Sequence, residues 1–154
     1  MYTMPTRIVL LTLACFILIG AVFMFSKLNA TIYDGSAKLR LVTKVISLII
    51  VNNEESRVSG LSGMEFLPKD KAMLFTFGMP GRYGIWMKDM KFPIDIIWLD
   101  EQKKIVSIQH NISPDTYPKV FNSDSESSYV LETNQGFAKE NNFVVGKVLD
   151  FDVK

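Results

Sequence analysis

Residues 94–109, IDIIWLDEQKKIVSIQ, contain the segment that decides the fold class. The first part, Ile94–Leu99, is rich in β-branched and aromatic residues, and Pro93 breaks the chain just before it. Such a composition favours a β-strand over a helix. The polar residues Asp100–Lys103 form a turn, after which Lys104–Gln109 returns with further β-branched residues. We therefore predict a β-hairpin of two antiparallel strands.

Further short strands are predicted on both sides of this hairpin, with glycine, proline or asparagine residues between them. They are Lys44–Val51, Ala72–Phe77, Tyr83–Met87, Tyr129–Thr133 and Lys147–Val153. One short helix is expected after the candidate caps Asn52 and Asn53, and another near Gly136–Glu140 with Asn134 as its cap. The pattern offers no full-length helices between strands, which a parallel sheet needs. The sequence therefore predicts a mainly β fold: an antiparallel β-sandwich of the jelly-roll kind, or a barrel, with one or two short helices.

The N-terminal segment Ile8–Phe25, IVLLTLACFILIGAVFMF, carries no charged side chain. As a helix it would rise about 27 Å, close to the ~30 Å hydrocarbon core of a bilayer. We expect an uncleaved signal anchor that crosses the membrane as a helix, or a cleaved signal peptide; a buried core helix is the third interpretation. The chain then divides into this signal segment at residues 1–26, a polar linker at 27–43 and a β-rich domain at 44–154.

Charge and cysteine content narrow the partners and the chemistry of the domain. The net charge of the chain is +1, and no dense basic cluster is present, so nucleic acid is not an expected partner. The single cysteine, Cys15, lies in the apolar segment, which leaves the domain without a disulfide, a zinc-type cluster or a thiol nucleophile. No metal or cofactor is predicted. The expected location is outside the cytoplasm, anchored to the membrane through residues 8–25, or secreted or periplasmic after cleavage.

Four stretches of the chain resemble one known family. They are GLSGMEFLPKDKAMLFTF at residues 60–77, GRYGIWMKDMKFPIDIIWLD at 81–100, NISPDTYP at 111–118 and YVLETNQGF at 129–137. The pattern is similar to that of the domain of unknown function 192, an uncharacterised family of exported bacterial and archaeal proteins, over about Lys44 to Lys154. The resemblance implies a compact, mainly β fold of the sandwich or jelly-roll kind and no settled activity. Met64 and Ala72 depart from the family pattern, which usually has Arg and Gly there; if that Arg binds a ligand, this chain lacks it.

The densest group of chemically useful side chains surrounds Trp86. Alternation along a strand would put Trp86 and Lys88 on one face, and Tyr83 lies nearby. Aromatic faces can stack on sugar rings or other flat groups, and charged side chains can fix their orientation. The alternative is structural: Trp86 belongs to the core and Lys88 pairs with Asp95 or Glu132 to tie strands together.

Asp95 and Glu132 are carboxylates within otherwise apolar strands. A buried carboxylate is costly unless it is paired or hydrogen-bonded, so each points outward, has a structural partner or lines a site. If adjacent, the two could act as an acid/base pair. His110, the only histidine, lies at a strand end and suggests a surface residue, and Ser62 in GLSG suits a helix end better than a nucleophile elbow. The loop 114–118, with Tyr117 between two prolines, is a candidate recognition loop.

Three functional hypotheses follow, and whether the protein is an enzyme stays open. The first is a cell-envelope binding module for a small molecule, a saccharide or a peptide. The second is a hydrolase or lyase that uses Asp95 and Glu132, with His110 as a further candidate. The third is a structural or interaction protein of an envelope assembly, which predicts a flat apolar patch and no pocket. The candidate ligand-binding residues are Tyr83, Trp86, Lys88, Asp95 and Glu132.

Overall fold

A computed structural model describes residues 37–153 of the chain. These residues form nine strands, two short α-helices and one 3-10 turn at Pro114–Thr116. The helices are α1 (Glu54–Ser59) and α2 (Phe137–Glu140). The strands are β1 (Lys38–Arg40), β2 (Val45–Val51), β3 (Lys71–Gly81), β4 (Ile85–Trp86), β5 (Ile94–Leu99), β6 (Ile105–Ile112), β7 (Val120–Phe121), β8 (Ser127–Asn134) and β9 (Asp150–Phe151). The predicted mainly β class, with short helices, is confirmed.

Seven of the strands form one mixed sheet in the order β6-β5-β8-β3-β2-β1-β9, and β4 pairs with β7 in a separate two-stranded sheet. Every pair is antiparallel except β2 and β3, which run in parallel. The crossover between these two strands is residues 52–70, which contain α1. The expectation of a purely antiparallel arrangement was therefore wrong, because a single two-turn helix is enough for this crossover.

The large sheet curls into a half-barrel instead of dividing into the two packed sheets of a sandwich. Its two edges meet at one end, where the N–H of Ile105 donates to the carbonyl of Lys147 at 2.8 Å and the N–H of Leu149 donates to that of Lys103 at 3.0 Å. The main core cluster takes residues from all seven strands of this sheet and from α2. Its largest members include Leu39, Ile46, Leu48, Leu74, Ile97, Leu99, Leu131, Phe137, Phe143 and Phe151.

The predicted hairpin is confirmed, with β5 spanning the predicted residues Ile94–Leu99. The turn is held by the Asp100 carboxylate, whose Oδ1 accepts from the backbone N–H groups of Gln102 and Lys104, both at 2.9 Å. A side chain that bonds its own following backbone is the mechanism of an Asx turn. All six residues of β5 are buried, so the strand has a covered surface on each face.

The predicted helix after Asn53 is also confirmed. The Asn53 side chain accepts from the N–H of Ser56 at 2.9 Å, and the Ser56 side chain reaches back to Asn53, which completes a capping box. The helix ends at Gly60, whose φ of +47° favours glycine. Asn134, in contrast, does not cap α2, because its Nδ2 donates to the carbonyl of Leu67 at 2.9 Å.

Other boundaries differ from the predictions. Only Ile85–Trp86 of the strand predicted at Tyr83–Met87 is a strand, and only Asp150–Phe151 of the strand predicted at Lys147–Val153. Lys38–Arg40, predicted to be linker, forms β1 between β2 and β9, because Leu39 is fully buried in the core. The predicted signal segment at 1–26 lies outside the described residues. Within 37–153 no helix is long and apolar enough to span a bilayer.

Asp95 has a structural role in the described fold. Its side chain is fully buried in β5; Oδ1 accepts from the N–H of Asn111 at 2.9 Å, and Oδ2 accepts from the N–H of Ala138 at 3.0 Å. The carboxyl therefore joins the end of β6 and the first turn of α2 to the sheet. Both N–H groups lose this acceptor if the side chain is removed.

We predict that Asp95→Ala lowers the free energy of unfolding by about 2 kcal/mol, because it leaves the buried N–H of Ala138 and the part-buried N–H of Asn111 without this acceptor. Urea denaturation of the full-length chain in mild detergent measures this change. The matched control is Asp124→Ala, since Asp124 is exposed. An equal, small change in both variants would contradict the structural role of Asp95.

Candidate functional site

Glu132 lies at the centre of the large sheet and has apolar neighbours on both sides. On β8 it faces Met73 of β3 and Ile96 of β5, and both of these are fully buried. Glu132 is itself only 4% exposed. Burial favours the uncharged form of a carboxyl group, and it raises the pKa of Glu132 from 4.5 to about 8. The side chain is therefore a neutral carboxylic acid at pH 7.

The Glu132 carboxyl has no partner for its hydrogen-bonding capacity among residues 37–153. No hydrogen bond or ion pair joins it to another described side chain or backbone group. Its oxygens are not among the fully enclosed unpaired atoms of this range, so solvent reaches them at the cavity. A buried polar group without a partner is uncommon in native proteins. Such a group indicates a bound water or a ligand, or a functional role.

The carboxyl opens into a cavity of about 50 Å³ between the large sheet, the end of α1 and β4. We call this space the Glu132 cavity. Trp86 is 43% exposed and also lines the cavity, so the cavity adjoins the protein surface beside its ring. Both apolar and polar residues line the cavity. They include Arg57, Ser62, Phe75, Trp86, Met90 and Glu132.

Arg57 is the only other charged residue among those that line the cavity. Its Nη2 donates to the carbonyls of Thr76 at 2.8 Å and Asn52 at 3.0 Å, and its guanidinium lies 5.0 Å from the centre of the Phe77 ring. Its Nη1 also lies 3.8 Å from the carboxylate of the exposed Glu54, one turn earlier on α1. These contacts hold the guanidinium in place against β3. Its Nε is buried and has no hydrogen-bond partner within the described part of the chain.

The turn after α1 is fixed to the segment that carries Trp86. Ser62 Oγ donates to the carbonyl of Lys88 at 2.8 Å, and the N–H of Gly63 donates to the carbonyl of Asp89 at 2.9 Å. Ser62 thus has the predicted position after a helix end. These two bonds hold one wall of the Glu132 cavity against the segment that follows β4.

An exposed aromatic surface adjoins the cavity. We call Trp86, Tyr117 and Val120 the aromatic platform. The rings of Trp86 and Tyr117 meet edge to face with centroids 6.1 Å apart, and Val120 pairs with Trp86 across β4 and β7. Lys88 Nζ lies 5.9 Å from the centre of the Trp86 ring. A Cβ on Gly84 would come within 2.5 Å of Val120, so this close approach requires glycine.

The five predicted site residues are divided between different places. Trp86 and Glu132 line the cavity, and Lys88 lies beside the Trp86 ring. Tyr83 does not line it, because its ring stacks on Phe77 at 3.4 Å and its hydroxyl donates to the carbonyl of Met79 at 2.6 Å. Asp95 lies in the sheet with the two backbone partners described above.

The proposed acid/base pair of Asp95 and Glu132 is wrong. The register pairs Asp95 with Thr133 and Ile96 with Glu132, so the two carboxyl groups belong to adjacent rows of side chains. Adjacent rows point to opposite faces of a sheet. The two groups therefore cannot act together on one substrate.

Two further features lie away from the Glu132 cavity. His110 is exposed near the end of β6, beside a separate surface cavity that Lys139 and Phe143 also line. Across the described range, no group of three histidine, cysteine, aspartate or glutamate side chains has an arrangement that could hold a metal ion.

Comparison with known proteins identifies the family. The model of the domain of unknown function 192, DUF192, described as "uncharacterized ACR", matches residues 37–151. The chain belongs to the DUF192 family. No curated protein matches this sequence.

Two solved structures share the fold of this DUF192 domain. One is a proposed transcription regulator from Sinorhizobium meliloti 1021, with a TM-score of 0.68 and 24% identity over 75% of this chain and 91% of that chain. The other is a protein of unknown function from Novosphingobium aromaticivorans DSM 12444, with a TM-score of 0.67 and 19% identity over 76% of this chain and 83% of that chain. At these identities the likeness concerns the fold alone.

The two departures from the DUF192 pattern lie outside the lining of the Glu132 cavity. Ala72 is fully buried and packs in the main core cluster. Met64 is half-buried in the turn that follows α1, and its N–H donates to the carbonyl of Leu61 at 3.2 Å. Neither substitution changes a group that we place at the site.

We predict that Glu132 makes the stability of the fold fall as pH rises. Its pKa is higher in the folded chain, about 8, than its ordinary value of 4.5, so the folded state keeps a proton that the unfolded state loses. Between pH 4.5 and about pH 8, the contribution of Glu132 to the free energy of unfolding should therefore fall by about 1.4 kcal/mol for each pH unit. Above about pH 8 this contribution should fall no further.

Urea denaturation of the full-length chain in mild detergent, at several pH values between 4.5 and 8.5, tests this prediction. The stability of Glu132→Gln relative to the natural protein should grow by several kcal/mol across this range, because the amide never ionises. Glu101→Gln, in the exposed turn after β5, is the matched control. A difference between Glu132→Gln and the natural protein that stays constant with pH would contradict burial of an ionisable Glu132.

Proposed function

We propose that this DUF192 domain is a ligand-binding module of the cell envelope that works outside the cytoplasm. The observation that carries the proposal is the Glu132 cavity, where a buried carboxyl without a protein partner opens beside an exposed aromatic surface. A buried polar group is stabilised when a bound molecule supplies its missing hydrogen bond. A concave site with an aromatic wall and few polar groups is typical of ligand binding.

The aromatic platform supports a saccharide or a peptide as the ligand. The half-exposed faces of Trp86 and Tyr117 offer apolar contact area that can stack on a sugar ring or a planar peptide group. Lys88 beside Trp86 adds a donor at the edge of this surface. The same arrangement argues against a purely structural role, which predicts a flat patch without a pocket.

The extracytoplasmic location rests on the sequence of residues 8–25. An uncharged segment of this length favours insertion in a membrane or a translocon. A domain held at the membrane, or released after cleavage, would meet the saccharides and peptides of the envelope directly.

Binding measurements with oligosaccharide and peptide panels test the proposed ligand site. For any ligand that binds the full-length chain in mild detergent, Trp86→Ala should weaken the affinity about tenfold or more, because a ring contact is lost. Phe66→Ala removes another exposed aromatic ring, at a different cavity, and is the matched control. If every ligand binds both variants equally, the ligand site is elsewhere.

A reporter fusion tests the proposed location. Alkaline phosphatase, which becomes active only outside the bacterial cytoplasm, should be active when fused after Lys154 and inactive when residues 8–25 are deleted. A green fluorescent protein fused at the same position provides the complementary reporter. In the chain that keeps residues 8–25, an inactive phosphatase together with a fluorescent green fluorescent protein would place the domain in the cytoplasm.

A further inference from the structure

We propose that the Glu132 cavity binds the carboxylate end of its ligand, with the Glu132 hydroxyl as donor and Arg57 as the counter-charge. This inference rests on the proposed binding function and specifies the chemistry of the group that enters the cavity. The ligand would be a sugar acid or a peptide with a free C-terminus.

Protonated Glu132 can donate a hydrogen bond to a ligand. A neutral carboxylic acid donates one hydrogen bond through its O–H group. The carboxyl lies at the cavity, is almost completely buried, and receives no acceptor from residues 37–153. The group that completes this site must therefore present an acceptor oxygen.

The wall of the Glu132 cavity is mostly uncharged. Strand β3 contributes Phe75 to the wall, and β4 contributes Ile85 and Trp86, all of them uncharged. The segment that begins with α1 contributes a single cation, Arg57. With Glu132 neutral, the lining residues carry one positive charge. Outside the lining, Arg57 has one exposed counter-charge, the Glu54 carboxylate at 3.8 Å. Because an exposed ion pair is weak, a ligand carboxylate inside the cavity would still gain from the Arg57 charge.

The same charge balance disfavours other ligand groups. A phosphate monoester carries nearly two negative charges at pH 7 and would leave an uncompensated charge in a site with one cation. An amine would bring a second positive charge next to Arg57, and it would pair with Glu132 only after the acid had lost its proton. A neutral hydroxyl would leave Arg57 with the exposed Glu54 carboxylate as its counter-charge and would gain nothing from the Arg57 charge inside the cavity.

The size of the cavity fits this assignment. About 50 Å³ accommodates a small terminal group but not a whole sugar ring or side chain. The rest of the ligand would then lie outside, across the aromatic platform next to the cavity. The carboxylate would fix one end, and Trp86 and Tyr117 would contact the part that follows.

The experiment compares matched ligands with the full-length chain in mild detergent. Tri-galacturonic acid is compared with neutral tri-galactose, and an acetylated tripeptide with a free C-terminus is compared with the same tripeptide amidated. At pH 6 we expect the carboxylate member of at least one pair to bind at least about tenfold more tightly. The pair that shows this preference distinguishes a sugar acid from a peptide.

The pH dependence tests the role of Glu132 without any substitution. Ionisation of Glu132 puts a second negative charge against the ligand, so the affinity for the carboxylate ligand should fall about tenfold between pH 6 and pH 9. Glu132→Gln should abolish this fall, whereas the exposed control Glu101→Gln should keep it. Arg57→Gln should remove the preference for carboxylate over amide.

The outcomes separate this inference from the proposed function. Binding that depends on Trp86 but shows no preference for carboxylate, and no fall with pH, would overturn the carboxylate assignment and leave the binding function intact. An amine ligand that binds more tightly at pH 9 would also overturn it. If none of the matched ligands binds while other saccharides or peptides do so through Trp86, only the carboxylate assignment fails; if no member of the wider panels binds, the proposed function fails.

Discussion

Side chains on β5 and β8 alternate between two faces of the sheet that are both covered, and this alternation determines where every polar group at the centre of the domain must lie. The register that pairs Asp95 with Thr133 also pairs Ile96 with Glu132. A shift of the pairing by one residue would move every side chain of one strand to the other face of the sheet. The apolar residues on both strands therefore fix the register. The two carboxyl groups belong to neighbouring rows of the register, yet they lie on opposite faces of the sheet and in different environments.

The two environments give these carboxyl groups different hydrogen-bonding partners. Asp95 accepts hydrogen bonds from two backbone N–H groups, those of Asn111 and Ala138, one on each carboxyl oxygen. Glu132 lies between Met73 and Ile96 and receives no donor from the described chain, so burial keeps it protonated. A fold that needed stability alone would be expected to replace such a residue with an apolar one. Its presence beside a cavity is the reason to assign it a function.

Local sequence patterns were sufficient for the elements whose signals lie within a few residues. The hairpin at Ile94–Leu99 and the helix after Asn53 both depend on local composition and capping, and both were predicted. The sequence also named Trp86 and Glu132 as candidate site residues, and both line the Glu132 cavity. It could not show that Tyr83 packs on Phe77, or that Asp95 and Glu132 lie on opposite faces, because these facts depend on strand register. β1 and the parallel pairing of β2 with β3 were missed for the same reason: they are formed by contacts between distant parts of the chain.

The proposed site depends on a buried Glu132 carboxyl that is neutral at physiological pH. Titration of its side-chain carboxyl carbon by NMR, in the full-length chain labelled with 13C-glutamate and assigned with Glu132→Gln, measures this most directly. We expect a midpoint near pH 8. A midpoint at about 4.3, the value of an unperturbed glutamate, would contradict it.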